Sequence, residues 1–197
     1  LYDRYGFKGI SICSKEFAYG CYHGVTEQAL LTTGKNSIPD IERDCLKTYP
    51  PVAGKHPTDP GCIHGMGHGL LTWNNLDMNG SLKDCGAISK NYQSFCWDGV
   101  FMEYSMSDIR TFDNQQPWRF CTVLSNKDQE KCASYLVNIY SKSSSAETKK
   151  LSDMCIQAPE SKLGTLCNNR IGSNIAQQKN GKLKSISTEC QLIGNEV

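Results

Sequence analysis

The chain lacks long apolar runs and blocks of like charge. None of its segments approaches the roughly 20 consecutive apolar residues that a helix needs to span a bilayer. Its 21 basic and 20 acidic residues are interspersed and leave a net charge of +1, so no basic face for nucleic acid or anionic lipid is expected. We therefore expect no nucleic-acid partner and no membrane span in the given chain. Because Leu1 and Val197 are abrupt ends, we expect a mature or trimmed fragment whose leader lies outside the given chain, with room there for a membrane anchor or a complex as well.

The short motifs of several enzyme and metal-site classes are also missing. No two of the eleven cysteines have the CxxC or CxxCH spacing, which argues against a zinc ribbon, a redox pair and covalent haem. There is no Gly-x-Ser-x-Gly elbow, P-loop or dinucleotide fingerprint. His64 and His68 have the spacing of an HExxH metalloprotease helix, but Gly65 stands where the glutamate base would be.

Cysteine is abundant in this chain. Because its cysteines do not follow metal-binding or redox motifs, they favour disulfides formed in an oxidising compartment. We therefore expect an exported protein, located in the periplasm, outside the cell or on its surface. Five opening cysteines are each followed 23 to 25 residues later by a closing cysteine, and they recur every 34 to 41 residues. Such a period is typical of helix-pair solenoids. The opening cysteines are Cys21, Cys62, Cys96, Cys132 and Cys167, and the closing cysteines are Cys45, Cys85, Cys121, Cys155 and Cys190.

We predict an all-α fold, a single α-solenoid domain of about five helix-turn-helix repeats over residues 1–197. A truncated repeat at residues 1–16 precedes repeats that begin near residues 18, 60, 94, 130 and 165. A hairpin would bring an opening cysteine, near the start of its first helix, close to the closing cysteine near the end of its second. The predicted disulfides are Cys21–Cys45, Cys62–Cys85, Cys96–Cys121, Cys132–Cys155 and Cys167–Cys190. Cys13 is expected to close the truncated repeat, with a free buried thiol as the alternative.

Apolar residues recur at a fixed place in every first helix, four residues after the opening cysteine, and this predicts an inward position. They are Val25, Met66, Val100, Leu136 and Ile171. The pattern resembles the TPR-like and Sel1-like families of helical repeats, including secreted bacterial forms with one disulfide per repeat. The Cys-x-His-Gly segments at 21–24 and 62–65 also resemble secreted prokaryotic repeat proteins. These resemblances imply a repeat fold and supply no catalytic residue.

Two positions of the first helices carry side chains that can bind metal, two and six residues after the opening cysteine. In the third repeat the second acidic side chain comes one residue later. These side chains belong only to the first three repeats; Ser134, Asn138, Asn169 and Ser173 occupy the same positions in the last two. The candidate ligands are His23, His64 and Asp98 at the first position, and Glu27, His68 and Glu103 at or beside the second.

Glycine follows the first of these positions in all three repeats, as Gly24, Gly65 and Gly99. Because glycine costs about 1 kcal/mol relative to alanine inside a helix, its recurrence predicts a close approach between neighbouring backbones. Stacked helices lie about 8 to 10 Å apart, so the candidate ligands of adjacent repeats would face one another. We therefore predict one shared metal site.

Nitrogen and carboxylate donors without free thiolates favour zinc, copper or non-haem iron, and an oxidising compartment favours zinc or copper. Two alternatives remain for the same residues, a hydrogen-bonded structural ladder and metal-free acid–base chemistry. His56, the fourth histidine, is expected to be a solvated surface residue.

The leading functional hypothesis is an exported metal-binding helical-repeat protein. The first alternative is a protein-interaction scaffold, or an accessory subunit of a cell-surface complex, because solenoids present concave faces to partners. The second is a metal-dependent hydrolase or oxidase, in which Glu27 or Glu103 would act as base on a metal-bound water. The sequence leaves open whether the protein is an enzyme.

Overall fold

The fold was analysed on a computed structural model that describes residues 1–13, 20–48, 61–107, 112–144, 147–178 and 191. These residues form helices and no strand, which confirms the all-α class. They divide into two compact units, Leu1–Tyr104 and Ser105–Val197. No helix in the described ranges combines the length and the apolar character that a membrane crossing requires. A single solenoid domain over the whole chain stays a prediction.

Within its described residues, the first unit contains six α-helices and short 3₁₀ segments. The 3₁₀ segments cover Gly6–Ile12, Lys35–Ser37 and Cys85–Ala87. The α-helices are α1 (Tyr2–Tyr5), α2 (Gly20–Thr33), α3 (Ile38–Thr48), α4 (Gly61–Trp73), α5 (Met78–Asp84) and α6 (Gln93–Met106), the last of which ends just beyond the unit.

Helix α4 is the most buried helix of the first unit, with ten of its thirteen residues buried. Its four glycines disfavour a helix by about 1 kcal/mol each relative to alanine, so local propensity alone does not account for it. Burial of Ile63, Met66, Leu70 and Leu71, all fully enclosed, supplies the compensating apolar contacts. Packing against the neighbouring helices therefore stabilises α4 in spite of its low helix propensity.

The glycines of α4 are where those neighbours come closest. A Cβ on Gly65 would lie 2.6 Å from Thr26 Oγ1 of α2, and a Cβ on Gly67 would overlap the Cys96 carbonyl oxygen of α6. Gly99 of α6 is equally tight, since a Cβ there would overlap the His64 carbonyl oxygen. The predicted close approach is confirmed for Gly65 and Gly99. It is wrong for Gly24, where a Cβ would meet nothing within 4 Å.

The start of α6 is fixed by polar contacts to α3 and α5. Glu42 is buried on α3, and both its carboxylate oxygens accept the Ser89 backbone N–H, at 3.0 and 3.1 Å. Trp97 Nε1 on α6 donates to the Leu82 carbonyl oxygen of α5 at 3.3 Å. A buried carboxylate is tolerated only when it is hydrogen-bonded in this way. These contacts set the position of α6 beside α4.

The disulfides in the structure differ from the predicted pairs. Each closing cysteine bonds to the next opening cysteine, 8 to 17 residues later, with Cα atoms 5.4 to 5.9 Å apart. The observed pairs are Cys13–Cys21, Cys45–Cys62, Cys85–Cys96, Cys121–Cys132 and Cys155–Cys167. The predicted pairs Cys21–Cys45, Cys62–Cys85, Cys96–Cys121, Cys132–Cys155 and Cys167–Cys190 are therefore wrong, as is a free thiol at Cys13. Cys190 lies outside the described residues.

The physical reason lies at the junction between successive helix pairs. Cys45 is near the end of α3, and Cys62 is the second residue of α4, so the chain leaves one helix pair and enters the next beside the same disulfide. The bridge thus closes the connection between helix pairs and not the hairpin within one. Cys13 follows the same pattern as the closing cysteines, since it bonds to the next opening cysteine, Cys21.

The second unit contains α7 (Arg119–Thr122), α8 (Asn126–Ser144), α9 (Thr148–Ile156) and α10 (Ser161–Gln178). Helices α8 and α10 pack together, and α9 packs on α10. Trp118 Nε1 donates to the Met154 carbonyl oxygen at 2.7 Å and ties α7 to α9. The predicted inward residues of both units, Val25, Met66, Val100, Leu136 and Ile171, are all buried.

Candidate metal centre

Three histidines converge in the first unit, where α2 and α4 are in contact. His64 and His68 lie one turn apart on α4, and His23 lies on α2. A Cβ on Gly65 would be only 3.1 Å from His23 Cα, so the absence of a side chain at Gly65 permits the two helices to come this close. The short distance between the helices is what brings the three rings together.

The three rings form a compact group, the histidine cluster, defined as His23, His64 and His68. One ring nitrogen of each histidine lies within 4.8 Å of the corresponding nitrogens of the other two. The ring centroids of His23 and His68 are 4.3 Å apart, and those of His64 and His68 are 4.9 Å apart. Imidazole nitrogens bind zinc at about 2.0–2.1 Å, which places tetrahedral ligands about 3.4 Å from one another. The spacing in the cluster, up to 4.8 Å, is wider than this, so binding an ion would draw the three rings closer together.

His68 is the deepest member of the histidine cluster, with 3% of its surface exposed. Its Nδ1 is 2.7 Å from Glu103 Oε2 on α6. Because an ionised carboxylate only accepts hydrogen bonds, the proton belongs on Nδ1, and Nε2 carries the lone pair. Nε2 is buried and has no hydrogen-bond partner among the described residues. A buried polar atom in this condition costs free energy that a metal ion would recover.

The environment keeps the rings of His68 and His23 neutral. Burial, followed by the neighbouring His23 and His64, lowers the pKa of His68 to about 3. Burial and His64 also lower the pKa of His23, and Glu103 opposes that shift. At neutral pH these two rings therefore have no proton to release before binding a metal ion.

The carboxylates predicted as ligands lie in different places. Glu103 contacts His68 through its Nδ1 and is not a member of the histidine cluster. Glu27 and Asp98 are half-buried on α2 and α6, and neither belongs to the cluster. The backbone of Glu27 packs on α4, since a Cβ on Gly69 would lie 2.9 Å from Glu27 Cα. Metal ligation or base catalysis by these carboxylates stays a prediction, and His56 lies outside the described residues.

The contact between His68 and Glu103 has a counterpart in the second unit. Asn174 Nδ2 on α10 donates to Asn138 Oδ1 on α8 at 2.8 Å. Asn138 and His68 both lie six residues after an opening cysteine, and Asn174 and Glu103 both lie seven after one. The polar contact is therefore a repeated structural feature, and the first unit differs in having an imidazole and a carboxylate at those positions. This shared spacing was the sequence signal for the role of Glu103.

Comparison with protein-family models, curated proteins and solved structures finds no match. The geometry of the histidine cluster therefore carries the functional argument by itself.

Proposed function

We propose that this chain is an exported helical-repeat protein that binds one transition metal ion, zinc or copper, through His23, His64 and His68. The observation that carries the proposal is the convergence of three imidazoles, each with one ring nitrogen within 4.8 Å of the others, together with a buried Nε2 of His68 that has no hydrogen-bond partner among the described residues. Hydrogen-bonded core histidines usually place both ring nitrogens against protein groups, and His68 does so only with Nδ1.

The proposal includes a solenoid in which disulfides link successive helix pairs. Its support is a common register between neighbouring first helices, in which a residue six after one opening cysteine meets a residue seven after the next. Glu27 meets Gly69, His68 meets Glu103, and Asn138 meets Asn174 in this way. Three contacts in the same register favour stacked repeats over an irregular helical fold.

Zinc or copper suits the donors on chemical grounds. Imidazole is a ligand of intermediate softness that both ions accept. The ten cysteines in the observed disulfides offer no thiolate, so an iron–sulfur cluster has no support in the described residues. The same five disulfides are the support for export to an oxidising compartment.

Metal analysis of protein produced in an oxidising compartment, without a histidine tag, tests the proposal. We expect stoichiometric zinc or copper after dialysis against trace metal, and its loss in His64→Ala and in His68→Ala. The matched control is Asn138→Ala, which removes the equivalent side chain in the second unit and should retain the metal. Substoichiometric metal that is unchanged by His64→Ala or His68→Ala would contradict the proposal.

The scaffold alternative would be favoured by an exposed apolar patch on the last two repeats. Among the described residues of those repeats, Ile156 is the large apolar side chain that is exposed. One such residue does not make a docking surface. Metal binding is therefore the function that the described residues support best.

A further inference from the structure

The histidine cluster is exposed unevenly, and this matters for an ion held there. His68 is buried, whereas His23 and His64 are half-buried. The Glu103 side chain, which is hydrogen-bonded to His68, is 30% exposed. An ion bound between the three rings would therefore have protein behind it at His68 and a route to solvent beside His23 and His64.

The histidine cluster also supplies fewer donors than zinc or copper requires. It offers three nitrogens, while zinc takes four ligands and copper(II) commonly four or more. Glu103 is hydrogen-bonded to Nδ1 of His68, and the two nitrogens of an imidazole point in divergent directions. A carboxylate held at Nδ1 is thus directed away from an ion bound at Nε2. Glu27 and Asp98 lie outside the cluster.

The charge of such a site favours one class of additional ligand. Three neutral imidazoles leave a divalent ion with its full positive charge, and Glu103, next to His68, offsets part of it. The site as a whole stays cationic. A small anion is therefore better suited to a remaining position than a neutral or cationic group.

We infer that the ion bound by His23, His64 and His68 keeps one exchangeable coordination position on its solvent side, and that this position binds a small anion. The inference rests on the proposed metal site. Water would fill the position when no anion is present. Three protein ligands and one exchangeable ligand are the arrangement of catalytic zinc sites, whereas structural zinc sites have four protein ligands.

Cobalt(II) is the probe for this position, because its visible absorption reports coordination in sites that bind zinc. Metal-free protein would be loaded with cobalt(II), freed of excess metal, and titrated with sodium azide while the visible spectrum is recorded. We expect a saturable spectral change with one azide per bound cobalt, and ultrafiltration should show that cobalt stays on the protein. A spectrum unchanged by azide, or cobalt released by azide, would overturn the inference and leave the proposed metal site intact. Failure to bind cobalt, zinc or copper at all would overturn both.

Two variants address closure of the site by a nearby carboxylate. Asp98→Asn and Glu27→Gln remove the carboxylates that could move onto the ion, and the inference predicts the same azide response in both variants as in the unmodified chain. An azide response that is absent in the unmodified chain and present in either variant would show a carboxylate in the fourth position. That result would overturn the exchangeable position and support a closed four-ligand site.

Discussion

His68 and Glu103 are hydrogen-bonded through Nδ1 and Oε2 at 2.7 Å, at the positions where the second unit pairs Asn138 with Asn174. In the second unit the contact joins two helices and offers no imidazole nitrogen. In the first unit the same contact orients an imidazole whose Nε2 is buried and has no hydrogen-bond partner among the described residues. The two contacts thus lie at the same positions relative to the opening cysteines, and in the first unit an imidazole replaces the amide.

Replacing Glu103 tests whether it positions His68. In Glu103→Ala the proton of His68 is no longer held on Nδ1, and we expect the affinity for zinc to fall about 10- to 100-fold, as for other carboxylates that orient a metal-binding histidine. Glu103→Gln keeps an oxygen acceptor and should lose less. Competition with a chromophoric chelator measures both affinities. Asn174→Ala breaks the equivalent contact and should leave the zinc affinity unchanged; equal affinities in all three variants would refute the positioning role.

Replacing Gly67 tests the close approach of α4 and α6. A methyl group there would overlap the Cys96 carbonyl oxygen, so Gly67→Ala should lower the free energy of unfolding by about 1–3 kcal/mol or more. Gly24→Ala is the matched control, because its Cβ meets nothing within 4 Å and alanine favours a helix by up to about 1 kcal/mol. Urea denaturation of metal-free protein measures both changes. Equal stability of the two variants would contradict the packing described for α4.

Peptide mapping without reduction tests the disulfide pairs. We expect one linked peptide that contains Cys45 and Cys62, and another that contains Cys85 and Cys96. Replacing both Cys85 and Cys96 by alanine should lower the free energy of unfolding by about 3 kcal/mol, because it removes a constraint on a short loop in the unfolded chain. A peptide that links Cys62 to Cys85 would restore the hairpin pairing and contradict the connectivity.

The pH dependence of stability tests the burial of His68. Its pKa is about 3 in the folded protein and 6.5 for an unperturbed histidine, so between these values the unfolded chain binds a proton that the folded protein does not. Stability should therefore be highest above pH 6.5 and decrease as the pH falls, by up to about 1.4 kcal/mol per pH unit. His23, whose pKa is also lowered, acts in the same direction.

Urea denaturation with chelator present, at several pH values, measures this slope. His68→Asn is the informative variant, because asparagine can still donate to Glu103 and is the natural residue at the equivalent position 138. We expect a shallower slope in that variant. Identical slopes in the two proteins would mean that His68 is protonated as easily when folded as when unfolded.

The helical class of the fold could be predicted from the sequence, but the disulfide connectivity could not. The helical class and the inward positions from Val25 to Ile171 follow from apolar spacing, which depends on the chain alone. The disulfide pairs do not follow from spacing, because each closing cysteine has two possible partners. These are the opening cysteine of its own hairpin and the opening cysteine of the next helix. Loop geometry decides between those partners, and cysteine spacing is the same in either case.

The candidate site was predictable in part for similar reasons. Cysteine alignment placed His23 beside His64, and helical spacing placed His68 one turn from His64. The side of α4 that each neighbour contacts could not be read in advance, and it determines which carboxylate meets His68. Gly67 contacts α6 and Gly69 contacts α2, and with this arrangement Glu103 of α6 is the carboxylate hydrogen-bonded to His68.

The central claim is that one ion is shared between α2 and α4, and zinc titration of His23→Ala tests it most directly. His64 and His68 alone, one turn apart on α4, would make a two-ligand site that is indifferent to α2. The account predicts that His23→Ala loses zinc affinity to the same extent as His64→Ala, with the helical circular dichroism of the protein unchanged. Full zinc affinity in His23→Ala would contradict a shared site and reduce the histidine cluster to two residues of one helix.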